Sequence, residues 1–95
     1  MANDTASQRL HATVTGSVQG VGFRYWVRRQ ADQLDLMGTA TNCDDGSVTV
    51  IAEGPTSSLD SLRDVLESGS TPGHVDGVDV RFAAATGKFS DFHEA

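Results

Sequence analysis

This chain of 95 residues has one cysteine, two prolines, one lysine and few aromatic side chains, and each scarcity excludes something. Cys43 alone cannot close an intramolecular disulfide, and no Cys and His residues fall at zinc-finger spacing, so a reducing compartment fits. Nowhere do about eighteen apolar residues run together, which excludes a spanning helix. The first eight residues, MANDTASQ, lack the basic start and apolar stretch of a leader. A cytoplasmic location is therefore expected, and the glycosylation-type triplet Asn3-Asp4-Thr5 has no consequence there. Basic residues are in deficit, 7 Lys plus Arg against 13 Asp plus Glu, for a net charge of −6. Such a molecule repels nucleic acid and anionic membranes, so neither is expected as a partner. With 38% apolar and 21% charged residues, the composition is that of an ordinary globular chain. Its length suits one domain, expected over residues 9–95 behind a flexible tail of residues 1–8.

What is present is unevenly placed. Residues 1–30 hold Arg9, Arg24, Arg28 and Arg29 against Asp4, so a local anion site in that third is compatible with the acidic whole. Residues 9–15 alternate, with Leu10, Ala12 and Val14 on one face, which predicts a half-buried strand. Gly16, Gly20 and Gly22 then crowd into seven residues, denser than a turn requires. From Phe23 the period changes: Phe23, Val27, Ala31 and Leu34 are spaced 4, 4 and 3, which predicts an amphipathic helix of about three turns. Residues 36–42 and 47–53 flank Asp44-Asp45-Gly46, a hairpin signal. The second arm, with Val48, Val50 and Ala52 alternating, is strand-like. The first, Met37 to Asn42, is small and polar like an exposed edge. Gly54-Pro55 is expected to start a second helix with a Leu59, Leu62, Leu66 stripe, and Gly69 to stop it. A strand over about 75–83, with Val78, Val80 and Phe82 on one face, and a possible short fifth strand over 88–93 complete the pattern.

The order β-α-β-β-α-β predicts an α+β, ferredoxin-like two-layer sandwich: an antiparallel sheet with two helices on one face. Because the first crossover joins two parallel strands, their C-terminal ends share one edge of the sheet, which brings the glycine loop toward Asn42. That loop, GSVQGVGFR over residues 16–24, leaves a strand and enters a helix. Several of its N–H groups can face one concavity beside the positive end of the helix dipole, an arrangement suited to a tetrahedral oxyanion. Arg24 adds a planar fork that can hold two phosphoryl oxygens. Asn42 offers a donor and an acceptor able to orient a water.

The string GSVQGVGFR, then Ala31, Leu36-x-Gly38, Asn42-x-x-Asp45-Gly46-x-Val48 and Gly54 closely resembles the acylphosphatase family over roughly residues 9–93. The resemblance implies a cytoplasmic hydrolase on a ferredoxin-like sandwich that needs neither metal nor cofactor. It cleaves the carboxyl-phosphate anhydride of a small acyl phosphate, releasing a carboxylate and inorganic phosphate. Arg24 matches the family's phosphate-binding catalytic arginine and Asn42 its water-orienting asparagine. The loop of Gln19, Gly20, Val21, Gly22 and Phe23 supplies, with Arg24, the phosphate cradle, and a monomer is expected. Asp35 departs from the family's usual glycine, and Thr39, Ala40 and Thr41 replace bulkier residues.

Without the resemblance, other readings stand beside these. A glycine-rich strand-to-helix loop is usually just a connection, and Asn42 alone is more often a pre-turn residue bonding its own backbone than a catalytic group. Arg28 and Arg29 read as a solvated helix face and Trp26 as a partly buried helix residue. His11, His74 and His93 are dispersed, and Asp44 and Asp45 are turn formers. No Lys-Ser or Lys-Thr follows the glycines, which excludes a nucleotide P-loop, and Tyr25 occupies the third-glycine place of a dinucleotide fingerprint. Two functions of other classes compete with the enzyme. One is a non-catalytic domain binding phosphate or carbamoyl phosphate through the same loop. The other is an RNA-binding sandwich, disfavoured by its charge and lack of paired stacking aromatics.

Overall fold

The computed structural model describes residues 7–68 and 70–95. Strand β1 (Ser7–Ser17) leads through the glycine loop into helix α1 (Phe23–Gln33), followed by β2 (Met37–Asn42) and β3 (Val48–Pro55). Helix α2 (Thr56–Ser68), β4 (His74–Ala84) and β5 (Phe92–Glu94) complete the chain. Ser7 and Gln8, expected in the tail, already belong to β1, while residues 1–6 of that tail, including the Asn3-Asp4-Thr5 triplet, lie outside the described residues. So does Gly69, the expected stop of α2.

The sheet order is β4-β1-β3-β2-β5. β1 and β2 each pair antiparallel with β3, one on either side, and so run parallel to each other. Val14 and Asn42 both register opposite Val48, placing the C-terminal ends of β1 and β2 at one edge of the sheet. This is the split-βαβ consequence expected from the element order.

One face of the sheet is apolar because the alternation puts Leu10, Ala12 and Val14 of β1 beside Val48, Val50 and Ala52 of β3, all six fully buried. Both helices cover it. α1 contributes Phe23, Val27 and Ala31, and α2 contributes Leu59, Leu62 and Leu66, the two stripes their spacing predicts. Truncating a buried leucine such as Leu62 costs about 2–5 kcal/mol, a large share of what holds a domain of this size together.

The structure differs from the sequence expectation in three places. β2 is not an edge: β5 pairs with it in parallel from Gly38↔Phe92 to Ala40↔Glu94. Its small residues serve closeness, since Ala40 is fully buried and a Cβ on Gly38 would collide with the Ile51 carbonyl. The fifth strand is therefore shorter and later than 88–93, and it makes the sheet mixed. Gly54 and Pro55 finish β3, and α2 begins at Thr56. Phe82 shares the face expected of it, registering with Leu10 as Val80 and Val78 do with Ala12 and Val14, yet it is 40% exposed. It lies near the end of β4, which is an outer strand with a neighbour on one side only.

Candidate active site

The loop between β1 and α1 obtains its shape from two glycines in left-handed conformation, Gly20 (φ 75°) and Gly22 (φ 82°). A Cβ on either would meet nothing within 4 Å, so the requirement is conformational, and the space beside these residues stays open. Gly22 is the N-cap of α1, and no side chain caps the helix or adds an acidic group to its first turn. The N–H of Trp26 bonds back to the Gly22 carbonyl at 3.0 Å. The N–H groups ahead of it are the orphan donors of a helix start, with the positive end of the helix dipole behind them. A helix end left uncapped by its own side chains has donors available for an anion.

A cavity of about 80 Å³ opens there, lined by Val18, Gly20, Gly22, Phe23, Arg24, Tyr25, Asn42 and Glu94. A bound water needs about 10–15 Å³ of such space, so the cavity is several times what one water requires. Of the seven residues in the expected site, Gly20, Gly22, Phe23, Arg24 and Asn42 meet around this space. Arg24, in the first turn of α1, donates from Nη1 to the main-chain oxygen of Ala95 at 2.8 Å, which fixes the guanidinium while leaving other donors for a guest. Among the described residues none hydrogen-bonds the Asn42 carboxamide, which stands exposed at the end of β2.

Gln19 and Val21 do not line the cavity. The Gln19 side chain points instead into the β2–β3 turn, where Nε2 donates to the carbonyls of Cys43 (2.7 Å) and Ser47 (2.9 Å). The turn is closed by Cys43 N–H to Ser47 O at 2.8 Å and Gly46 N–H to Cys43 O at 3.1 Å. Asp45 accepts from the Ser47 hydroxyl and N–H at 2.6 and 2.9 Å, and these two bonds hold its carboxyl below the usual carboxylate range. Gln19 thus ties the glycine loop to the residue immediately after Asn42, setting the distance between the two halves of the site. Val21 is 44% exposed on the outer side of the loop.

Three lining residues were not expected from the sequence: Val18, Tyr25 and Glu94. Val18 is a buried anchor directly before the loop. Tyr25 is half-exposed, with the Arg28 and Arg29 guanidinium carbons 5.6 and 5.9 Å from its ring centre, so both arginines pack on Tyr25 while Arg29 stays exposed and Arg28 partly so, the solvated helix face expected of them. The i, i+4 spacing of Tyr25 and Arg29 was a usable signal. Trp26 is partly buried against Phe23, as its position in the helix suggested. Among the described residues no three His, Cys, Asp or Glu side chains group closely enough to hold a metal ion, and no helix is long and apolar enough to cross a membrane.

Comparison with known proteins matches residues 10–94 to the acylphosphatase family model. A protein of Paenarthrobacter aurescens named acylphosphatase is 52% identical over 84 residues, 88% of this chain and 89% of its own length. A Thermobifida fusca protein of the same name is 51% identical over 86 residues, 90% of this chain and 94% of its own. The crystal structure of acylphosphatase from Bacillus subtilis superposes with a TM-score of 0.86 at 35% identity, covering 93% of this chain and 98% of that one.

Proposed function

Since this chain belongs to the acylphosphatase family, we propose that its hydrolysis of acyl phosphates runs through Arg24, Asn42 and the main-chain N–H groups at the start of α1. The observation that carries the reading is the convergence of Arg24, Asn42 and the glycine loop on one cavity. Arg24 and the N–H groups hold the non-bridging phosphoryl oxygens. The Asn42 carboxamide accepts from and orients a water in line with the bond to the acyl oxygen. The water oxygen bonds to phosphorus as the phosphorus–acyl oxygen bond breaks. Its electron pair leaves with the carboxylate, and the water's proton passes to solvent or a phosphate oxygen. Charge shared among the phosphoryl oxygens in the transition state is met by donors already in place, so no reorganisation is needed at that moment.

This division of labour suits the leaving group. A carboxylate departs without a general acid, and a site holding neither His nor a carboxylate pair is adequate to the step. The reaction therefore needs no metal and forms no covalent phosphoenzyme. Gln19 acts beside the chemistry, holding the loop against the Asn42 turn through its side chain. A cytoplasmic monomer completes the proposal, consistent with the lone Cys43 and the negative net charge.

Hydrolysis of benzoyl phosphate, with and without chelator, tests the scheme directly. Expected are turnover unaffected by chelation, competitive inhibition by inorganic phosphate, and a loss of about 10²-fold in Asn42→Ala, the size typical of a lost transition-state contact. Near-normal turnover by folded Asn42→Ala rejects its role, and loss of activity on chelation rejects the metal-free step.

A further inference from the structure

Among the described residues Glu94 is the one carboxylate lining the cavity beside the start of α1. It is there because of the parallel pairing of β5: Glu94 registers with Ala40 and, two residues after buried Phe92, shares Phe92's face of the sheet, the face covered by α1. On that face it meets α1, and the Arg28 guanidinium stands 3.5 Å from its Oε2. Arg28 lies one helical turn beyond Arg24, on the same row of α1. The order of strands places β1, which feeds the glycine loop, on one side of β2 and β5 on the other. The loop and Glu94 therefore flank Asn42 from opposite sides. With a phosphoryl group on the loop and Arg24, an acyl group directed away from the loop would run toward Glu94.

We propose that Glu94 is a specificity-determining residue, biasing the site toward acyl phosphates with an uncharged acyl group and against those whose acyl group carries a second negative charge. The inference rests on the phosphoryl-holding role of Arg24 and the loop given above. The carboxylate is 29% exposed and Arg28 is 41% exposed, and only the carboxylate borders the cavity. An incoming acyl group thus meets the negative partner of the pair before the positive one. Neutralising Glu94 does two things at once: it removes a like charge and releases Arg28 to attract an anionic acyl group. In a partly exposed site each of these is screened, and together they amount to about tenfold in relative kcat/KM.

The test compares acetyl phosphate with succinyl phosphate, whose acyl group ends in a carboxylate, using the full chain, Glu94→Gln and the double variant Glu94→Gln/Arg28→Ala. The unaltered chain is expected to prefer acetyl phosphate. Glu94→Gln should raise the succinyl-to-acetyl ratio of kcat/KM about tenfold, and the double variant should return most of that gain. The shift in ratio should shrink as salt is added, which a packing defect would not produce. A ratio unchanged within about twofold in Glu94→Gln overturns the proposal, and so does an unaltered chain that already prefers succinyl phosphate. If the unaltered chain hydrolyses neither acyl phosphate, the phosphoryl-holding reading falls first and takes this one with it.

Discussion

The two ends of the sheet treat polar groups in opposite ways. At one end β1 and β2 stop together, α1 begins without a capping side chain, and the Asn42 carboxamide has no partner among the described residues. At the other end Glu53 of β3, only 7% exposed, has its donors supplied. Its Oε2 accepts from Arg9 Nε, Thr86 N–H and Thr86 Oγ1, each at 2.9 Å, and Oε1 accepts from Gly87 N–H at 3.0 Å. Arg9 is further packed over the Phe89 ring, 5.7 Å from its centre. Both ends carry an arginine and backbone N–H groups of a loop. At one end the protein furnishes the anion itself, and the result is a staple holding the segment after β4 to the sheet. At the other it leaves the anion out, and the result is a site. Unspent hydrogen-bonding capacity, more than the presence of arginine, separates function from stability here.

The comparison breaks if exchanging roles fails, and the largest expected effect is on activity. Arg24→Ala should lower kcat/KM for benzoyl phosphate by about 10²–10³-fold while leaving the unfolding free energy within about 1 kcal/mol, because its bonding partner is a single exposed main-chain oxygen. Steady-state kinetics beside urea unfolding would show this. An Arg24→Ala chain that loses stability in place of activity makes the two ends alike and refutes the contrast.

Glu53→Gln should do the reverse, costing about 2 kcal/mol of stability by setting an amide NH₂ against donors that need an acceptor, with kcat/KM within about threefold of the unaltered chain. The pH dependence sharpens the point. Burial pushes the Glu53 carboxyl up, but the Thr86 N–H, the Arg9 guanidinium, the Gly87 N–H and the Thr86 hydroxyl more than reverse this and hold it down at about 2, against an ordinary 4.5. A carboxylate whose pKa is lower in the folded state contributes stability that is full above its unfolded pKa and drains away as pH falls toward the folded one. The stability gap between the unaltered chain and Glu53→Gln should thus be constant from pH 7 down to about 5 and narrow between there and pH 2. A gap independent of pH would show that the carboxylate charge does not hold the staple.

How much of this was legible in the sequence follows the range of the interactions. The Leu10, Ala12, Val14 alternation and the Phe23, Val27, Ala31 stripe are local periods, and both faces are buried where they predict. The meeting of the glycine loop with Asn42 was legible as well, because it follows from chain topology and needs no side-chain detail. Glu53 was not: its alternation with Ala52 marks a solvent-facing position, and what buries it is a loop more than thirty residues away in sequence. Glu94 was hidden for the same reason. β5 is three residues long, too short for a period, and only its parallel docking on β2 brings the carboxylate to the cavity. The small residues of β2 were open to two meanings, an exposed edge or a tightly covered strand, and composition does not separate them.

Gln19 lies between the two regimes, a fully used side chain inside the working end. Its two bonds to Cys43 O and Ser47 O set the spacing of loop and asparagine, so Gln19→Ala should lower kcat/KM about tenfold through kcat more than through KM. Arg24 and the N–H groups proposed to hold the phosphoryl group remain in Gln19→Ala, whereas the Asn42 carboxamide, proposed to orient the water, is expected to drift. Equal losses in Gln19→Ala and Arg24→Ala would instead place Gln19 in direct contact with the phosphoryl group.

The smallest effect concerns Asp35, just past the end of α1. It sits at φ 57°, the single non-glycine residue with positive φ among the described residues. Leu34 caps the helix, and the N–H of Leu36 bonds back to the Ala31 carbonyl at 2.9 Å, so the left-handed residue between them is fixed by the way the helix ends. An aspartate tolerates this conformation at some cost, and a glycine has no Cβ to strain, although it gives back part of the gain through the greater freedom of its unfolded chain. Asp35→Gly should therefore stabilise the fold by about 0.5–1 kcal/mol. The residue is far from Arg24 and Asn42 along both α1 and β2, so benzoyl phosphate turnover should not change. Thermal unfolding of Asp35→Gly beside the unaltered chain decides the matter, and a lower midpoint would mean that the aspartate side chain contributes more to the helix end than its backbone strain removes.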